Sequence, residues 1–290
     1  MSAATKVALV SGCSTGIGRF VAKRLAETGV LVVAGARRRE TIDDLAAASP
    51  QLVHPIAWDV DDAEATECAV TSTIERFGRI DILINNAGYG QFGPVVELSR
   101  GQWRAQLETN VVGLADAASI AARAPGGMID RRSGRIVNIG SIVGRVAIPL
   151  SGAYCATKYA VEAISDGLRM ELAPFGIDVV CVEPGPVTSA FAENARKTVQ
   201  GVLARKDSPY EYLRGGILKR MDTKYPANTT EGCADVIVRV STMRRPPTRI
   251  TVTPQAKLLV WIRRLLSDRM LDGILKRRYG LSGPAPTRAR

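Results

Sequence analysis

The stretch Val7-Ala8-Leu9-Val10-Ser11-Gly12-Cys13-Ser14-Thr15-Gly16-Ile17-Gly18 passes from four apolar residues straight into a glycine-rich turn. Four apolar residues bounded by a turn read as a strand buried on both faces, and residues 17–28 continue with a helical pattern. The turn therefore joins a strand to a helix. There, free backbone N–H groups and the positive helix end can meet a phosphate, and glycines let the backbone approach without a Cβ in the way. The spacing is G-x-x-x-G-x-G rather than the commoner G-x-G-x-x-G. Gly12, Ser14, Gly16, Ile17 and Gly18 become the candidates for holding a dinucleotide pyrophosphate.

Further apolar runs follow at 31–34, 52–58, 80–84, 135–139 and 177–182, with helical patterns at 39–48, 63–77, 100–124, 153–173 and 231–240. Strands alternating with helices predict an α/β fold: a doubly wound parallel sheet, the Rossmann arrangement, in one domain over 1–253. Residues 188–228 carry no clear strand, and an excursion of that length reads as a substrate lid. Residues 254–290 read as a basic C-terminal helical extension.

Composition bounds the function. A chain of 290 residues with 46% hydrophobic content can bury one sizeable core. No run of 18 apolar residues occurs, so no spanning helix is expected. The five cysteines form no CxxC pair, which argues against zinc and disulfides and suits a reducing cytoplasm. The net charge of +11 is segregated: residues 239–290 hold thirteen Lys/Arg against Asp268 and Asp272, so the body is neutral and a nucleic-acid-binding core is not expected.

At the end of the second strand, where an NAD enzyme usually places a carboxylate for the ribose 2′-hydroxyl, stands Ala36-Arg37-Arg38-Arg39. Arg37 can make charge-assisted bonds to a 2′-phosphate, which selects NADP(H). Asp59-Val60 and Asn86-Ala87-Gly88 follow the third and fourth strands, where ligands bind in open α/β sheets. Asp59 can accept from an adenine amino group.

Tyr154 and Lys158 lie four apart on a predicted helix and so share one face, with Ser141 closing the fifth strand. An unperturbed phenol, with a pKa near ~10, exchanges protons poorly at neutral pH, and an ammonium beside it favours the phenolate. Ser141 can donate to a substrate oxygen, and Asn110 can hold a water linking Lys158 to solvent.

Taken in order, these motifs resemble the short-chain dehydrogenases/reductases over about residues 6–188. The resemblance implies an alcohol–carbonyl oxidoreductase using NADP(H), with Asn110, Ser141, Tyr154 and Lys158 as catalytic tetrad. It also implies that Asn86, Ala87 and Gly88 flank the adenosine ribose, and that Pro184, Gly185 and Thr188 bracket the nicotinamide. Three departures stand out: Ser11 where Thr is usual, Gly140 where a Ser is usual, and Ala124-Pro125-Gly126-Gly127 interrupting a helix that commonly builds the family's dimer interface. The last leaves homo-oligomerisation open. The opening motif with Gly35-Ala36-Arg37-Arg38-Arg39 is similar to the 17β-hydroxysteroid and retinol dehydrogenase branch, which implies a small apolar alcohol or carbonyl substrate. The alternative is a catalytically silent nucleotide-binding regulator of the same fold, against which the intact tetrad argues.

Between 254 and 280, Leu259, Ile262, Leu266, Met270 and Ile274 recur at helical spacing among Arg263, Arg264, Arg269 and residues 276–278, with Gly280 as C-cap. Two readings stay open: a helix in the headgroup plane of an anionic membrane, which would make the protein membrane-associated, or one packed against the substrate lid. The single histidine, His54, reads as structural, and Cys155 as an accidental neighbour of Tyr154.

Overall fold

The computed structural model describes residues 5–187, 208–213 and 229–283, with the single positions 191, 195 and 198. Most of the expected lid, Thr188 included, lies outside the described residues.

The strands are β1 (Val7–Val10), β2 (Leu31–Ala36), β3 (Val53–Ala57), β4 (Ile82–Asn85), β5 (Gly134–Ile139), β6 (Ile177–Glu183) and β7 (Arg249–Thr251). They form one parallel sheet in the order β3-β2-β1-β4-β5-β6-β7. The order reverses between β1 and β4, which opens a crevice at the carboxyl ends of those strands.

The helices are α1 (Gly16–Glu27), α2 (Asp43–Ala48), α3 (Ala63–Phe77), α4 (Arg100–Leu107), α5 (Gly113–Arg123), α6 (Gly152–Leu172), α7 (Thr230–Thr242), α8 (Pro254–Leu265) and α9 (Asp268–Tyr279). Val21 and Leu25 of α1 join Ile237 of α7 in the apolar layer on one sheet face. Val70 of α3, Ala117 and Ala121 of α5, and Leu172 of α6 build the other. Strands buried on both faces are why β1 and residues 82–84 of β4 read as continuous apolar runs rather than alternating ones.

Four local expectations are corrected. The helix expected over 100–124 is broken by a π turn at Glu108–Val112, beside the point where Gly113 presses on the 58–60 loop; a Cβ there would lie 2.3 Å from the Val60 carbonyl oxygen. The helix expected over 39–48 begins as a 3-10 turn, Arg39–Ile42, before α2. β7 was not foreseen, because three residues carry no readable period. The single helix expected across 254–280 is two, since the Ser267 side chain accepts from Met270 N at 3.4 Å and starts a new helix. Gly280 caps the second in the left-handed conformation, as its position implied.

The interruption after α5 has a packing role. Gly127 N donates to Ala124 O at 2.7 Å, turning the chain so that Met128 is fully buried in the layer beneath the sheet. Among the described residues no helix is long and apolar enough to cross a membrane. Met128→Ala leaves a cavity there and should lower the unfolding free energy by about 2–5 kcal/mol. That loss would be read as a fall in the urea midpoint at constant slope, and an unchanged midpoint would show that the loop after α5 is not a core element.

Candidate active site

The crevice is bounded by the first glycine turn and the loop after β4. Ser11 Oγ accepts from both Asn86 N and Ala87 N at 3.0 Å, so Ser performs the joint that Thr usually would. Asn86 Nδ2 returns two bonds, to Ser11 O at 3.0 Å and Gly12 O at 3.1 Å. A Cβ on Gly18 would lie 2.3 Å from Asn86 Nδ2, so only glycine lets α1 start this close to the loop. Gly16 has φ +63° and faces open space.

The start of α1 suits a phosphate. Its N-cap residue Thr15 makes no side-chain capping bond, and its first turn holds no acidic residue, leaving N–H groups and the positive helix end for an anion. Ser14 and Ile17 lie in this turn. Arg37 is exposed just beyond β2 and makes no ion pair among the described residues, whereas Arg39 is taken by Asp43 at 3.6 Å. Asp59 is half-buried, accepts from Asp61 N at 3.2 Å, and precedes Val60.

Across the crevice, β5 and α6 bring the acid/base candidates together. Lys158 is buried and its Nζ donates to Ile139 O at 2.7 Å, two residues before Ser141. The ammonium lies 5.8 Å from the centre of the Tyr154 ring. Ser141 Oγ faces Pro184 O at 3.5 Å, and Ile142 N donates to the same carbonyl at 2.9 Å, which seats Pro184 and Gly185 against the end of β5.

The Asn110 side chain is hydrogen-bonded at both ends of its amide. Its Nδ2 donates to Tyr89 O at 2.9 Å and Thr157 Oγ1 at 3.1 Å, while its Oδ1 accepts from Tyr89 N at 3.0 Å. A side-chain amide so fully engaged is a brace between the loop after β4 and α6, and a water would have to be held by the backbone of the π turn. Gly88 touches the same amide.

The electrostatics also differ from the simple picture of an ammonium lowering a phenol. Burial pushes the Tyr154 phenol above its ordinary value, opposed by a hydrogen bond with Ser141. Burial likewise brings Lys158 down to about 8, opposed by the nearby Cys181 and Glu162. Without a bound cofactor, the neutral phenol is favoured.

Residues 6–200 match the pattern of the short chain dehydrogenase family. The chain belongs to that family. It is 34% identical to the oxidoreductase YbbO of Escherichia coli over 272 residues, 93% of this chain and 94% of that one. It is 28% identical to the NADPH-dependent 3-dehydrocapnine reductase of Ornithobacterium rhinotracheale, over 93% of this chain and 95% of the relative. Among solved structures, the closed form of serine dehydrogenase complexed with NADP⁺ superposes with a TM-score of 0.73 at 28% identity, covering 86% of this chain and 95% of that chain.

Within this short-chain dehydrogenase, reading the sequence missed several residues that build the site. Gln106, fully buried, donates to Tyr89 O at 2.9 Å and accepts from Gln91 N. Thr157 bonds Asn110 and Tyr154 O. Phe92 and Phe191 stand 5.6 and 5.3 Å from the Tyr154 ring and form an aromatic wall on its open side. The available signals were slight: a polar residue inside the Tyr-x-x-x-Lys span, and isolated aromatics in loops. Behind Lys158, Arg249 pairs with Glu162 at 2.7 Å and Glu183 at 3.1 Å. Gly140 makes room for that cluster: a Cβ there would lie 2.8 Å from Cys181 Sγ and 2.9 Å from Glu162 Oε1. His54 packs tilted against Phe77, ring centroids 5.0 Å apart, with Arg76 3.3 Å from its Nδ1. Burial raises the Cys155 thiol, which keeps it neutral.

Burying the Lys158 ammonium opposes folding, and the sign of the pH dependence follows. The cost is present in full below about pH 8, where the folded protein still holds that proton, and it fades toward the ordinary lysine value as the native amine sheds it. Lys158→Met should therefore stabilise the cofactor-free protein at pH 7 by on the order of 1–3 kcal/mol, with the gain vanishing near pH 10. Lower stability of the variant at pH 7 in denaturant titrations would mean that the bond to Ile139 outweighs desolvation.

Proposed function

We propose that the protein is an NADP(H)-dependent reductase of apolar ketones or aldehydes, with Tyr154 as the proton donor. The observation that carries this reading is the Tyr154 phenol: buried, favoured in its neutral form, and placed between the Lys158 ammonium and the apolar wall of Phe92 and Phe191.

Bound NADPH would supply the hydride. Gly12, Ser14, Gly16, Ile17 and Gly18 would hold its pyrophosphate at the α1 N-terminus, Arg37 its 2′-phosphate, and Asp59 with Val60 its adenine. Asn86, Ala87 and Gly88 would flank the adenosine ribose. Pro184 and Gly185, with Thr188 beyond the described residues, would meet the nicotinamide.

The remaining work falls to side chains. Ser141 donates to the substrate carbonyl oxygen and orients it toward Tyr154 Oη. Tyr154 gives its proton to that oxygen as the carbonyl carbon is reduced, and the phenolate left behind is stabilised by the Lys158 ammonium. Lys158, with a pKa near 8, is poised to return a proton to Tyr154. The relay then runs outward through a water at the Asn110 backbone, because its side chain is occupied. Phe92 and Phe191 offer no hydrogen-bond partner, so they favour a substrate that is apolar next to its carbonyl. The dependence of the Ornithobacterium reductase on NADPH and the NADP⁺ complex of serine dehydrogenase support the cofactor. Likeness to the human dehydrogenase/reductase SDR family member 7, 36% identical over 65% of this chain, agrees with the steroid and retinol branch.

Arg37→Ala should weaken NADPH binding about tenfold to a hundredfold and leave NADH binding nearly unchanged, as expected when a charge-assisted contact worth roughly 1.5–3 kcal/mol is lost. Equal loss for both cofactors in fluorescence titrations would remove Arg37 from the 2′-phosphate. Tyr154→Phe should cut NADPH oxidation with a panel of apolar ketones by at least about a thousandfold, or roughly 4 kcal/mol in the barrier, while NADPH still binds. Undiminished turnover would overturn the reductase mechanism and favour a nucleotide-binding regulator.

A further inference from the structure

The two C-terminal helices each show two faces. On α8, Ala256, Leu259 and Val260 pack into the cluster that holds Tyr154, Ile142 and Phe191. On α9, Leu271 and Leu275 pack on Val146 with Leu259. The inner face of α8 thus packs on the Tyr154 cluster, and that of α9 on Val146 and Leu259. The outer faces remain.

On α8, Leu258, Trp261 and Leu265 are 57%, 60% and 63% exposed and fall at i, i+3 and i+7, on one side of the helix. Lys257 and Arg264, both exposed, border that stripe. On α9, Met270 and Ile274 are 58% and 50% exposed, and exposed Arg277 continues their row at i+7. Large apolar side chains left in water next to cations on a helix already anchored by its opposite face are the composition of an interfacial surface. An indole in that row suits the headgroup level.

We propose that the outer faces of α8 and α9 dock on the surface of an anionic lipid bilayer. Charge decides between occupants. Residues 254–283 carry seven Lys/Arg against Asp268 and Asp272, and Asp268 is already paired with Arg263 at 2.7 Å. A second copy of this chain would bring the same cations against themselves across a two-fold axis, whereas anionic headgroups complement them. Because α8 also walls the Tyr154 cluster, docking would set that cluster close to a membrane that dissolves apolar carbonyl compounds. The proposal does not rest on the reductase reading, since binding is measured without turnover.

The test uses the full chain with phosphatidylcholine vesicles, with and without phosphatidylserine. The protein should sediment with the phosphatidylserine vesicles at low salt, with a blue shift in tryptophan emission that is lost in Trp261→Phe, and should release as salt screens the attraction. Lys257→Gln and Arg264→Gln should each weaken binding about fivefold. The double variant Trp261→Ala/Leu265→Ser should abolish it while thermal unfolding, NADPH affinity and turnover of a water-soluble ketone stay as in the parent. Absence of binding, equal binding to both vesicle types, or binding that survives these substitutions would overturn the proposal. So would self-association in sedimentation velocity that is lost in the double variant. Failure of NADPH turnover in the parent, measured without vesicles, would count against the reductase reading alone.

Discussion

A single ammonium, buried 2.7 Å from the carbonyl oxygen of Ile139, sets the terms for the groups around it. A charge in that position needs compensation, and the nearest carboxylate, Glu162, sits one turn further along α6. Held directly by Glu162, Lys158 would be fixed as the cation of a closed salt bridge, its proton too tightly bound to relay. Arg249 prevents this by taking Glu162 Oε2 at 2.7 Å, while Cys181 Sγ donates to Oε1 at 3.1 Å. Burial brings the lysine down to about 8, opposed only at a distance by Cys181 and Glu162. Gly140 belongs to the same arrangement, since a serine at that position would occupy the space that the Glu162 carboxylate and the Cys181 thiol fill.

The brace at Asn110 answers a different problem. The candidate acid/base pair lies on α6 and the candidate nucleotide crevice is bounded by the loop after β4, so the two halves must hold one geometry. Asn110 reaches both through Tyr89 and Thr157, and Gln106 donates to the same Tyr89 carbonyl oxygen. The π turn carries Asn110 at the bend between α4 and α5.

How much of this could be read in advance follows the range of each interaction. Strands β1 to β6 were legible because a sheet covered by helices is rich in Val, Ile, Leu and Ala, continuously so in β1 and least so in β3, and the glycine turn because its backbone has no alternative residue at Gly18. Tyr154, Lys158 and Ser141 were legible because their order along the chain repeats a family motif. Arg249 was not: it lies 87 residues from Glu162, and nothing local marks an arginine that will pair inside the fold. Gln106, Thr157 and Phe92 act through contacts that the folded chain alone creates. The break in the C-terminal segment at Ser267 was hidden by an apolar period that runs on from α8 to α9, although a serine followed by aspartate is itself a helix start.

Arg249 also joins α6, which carries Tyr154 and Lys158, to the C-terminal helices. It stands on β7, pairs with Glu162 of α6 and with Glu183 at the end of β6, and Thr251, two residues on, donates to Glu183 Oε2 at 2.6 Å. Thr253 then caps α8, and its hydroxyl lies so near Gly185 that a Cβ there would come within 2.1 Å of it. Thr253 thus abuts the Pro184-Gly185 turn where α8 begins, and Arg249 holds Glu162 on the helix that carries Lys158. Of two helices that a composition count would describe as a charged tail, α8 packs its inner face on the Tyr154 cluster and α9 on Val146 and Leu259, and their charge faces outward because the inward positions are already filled.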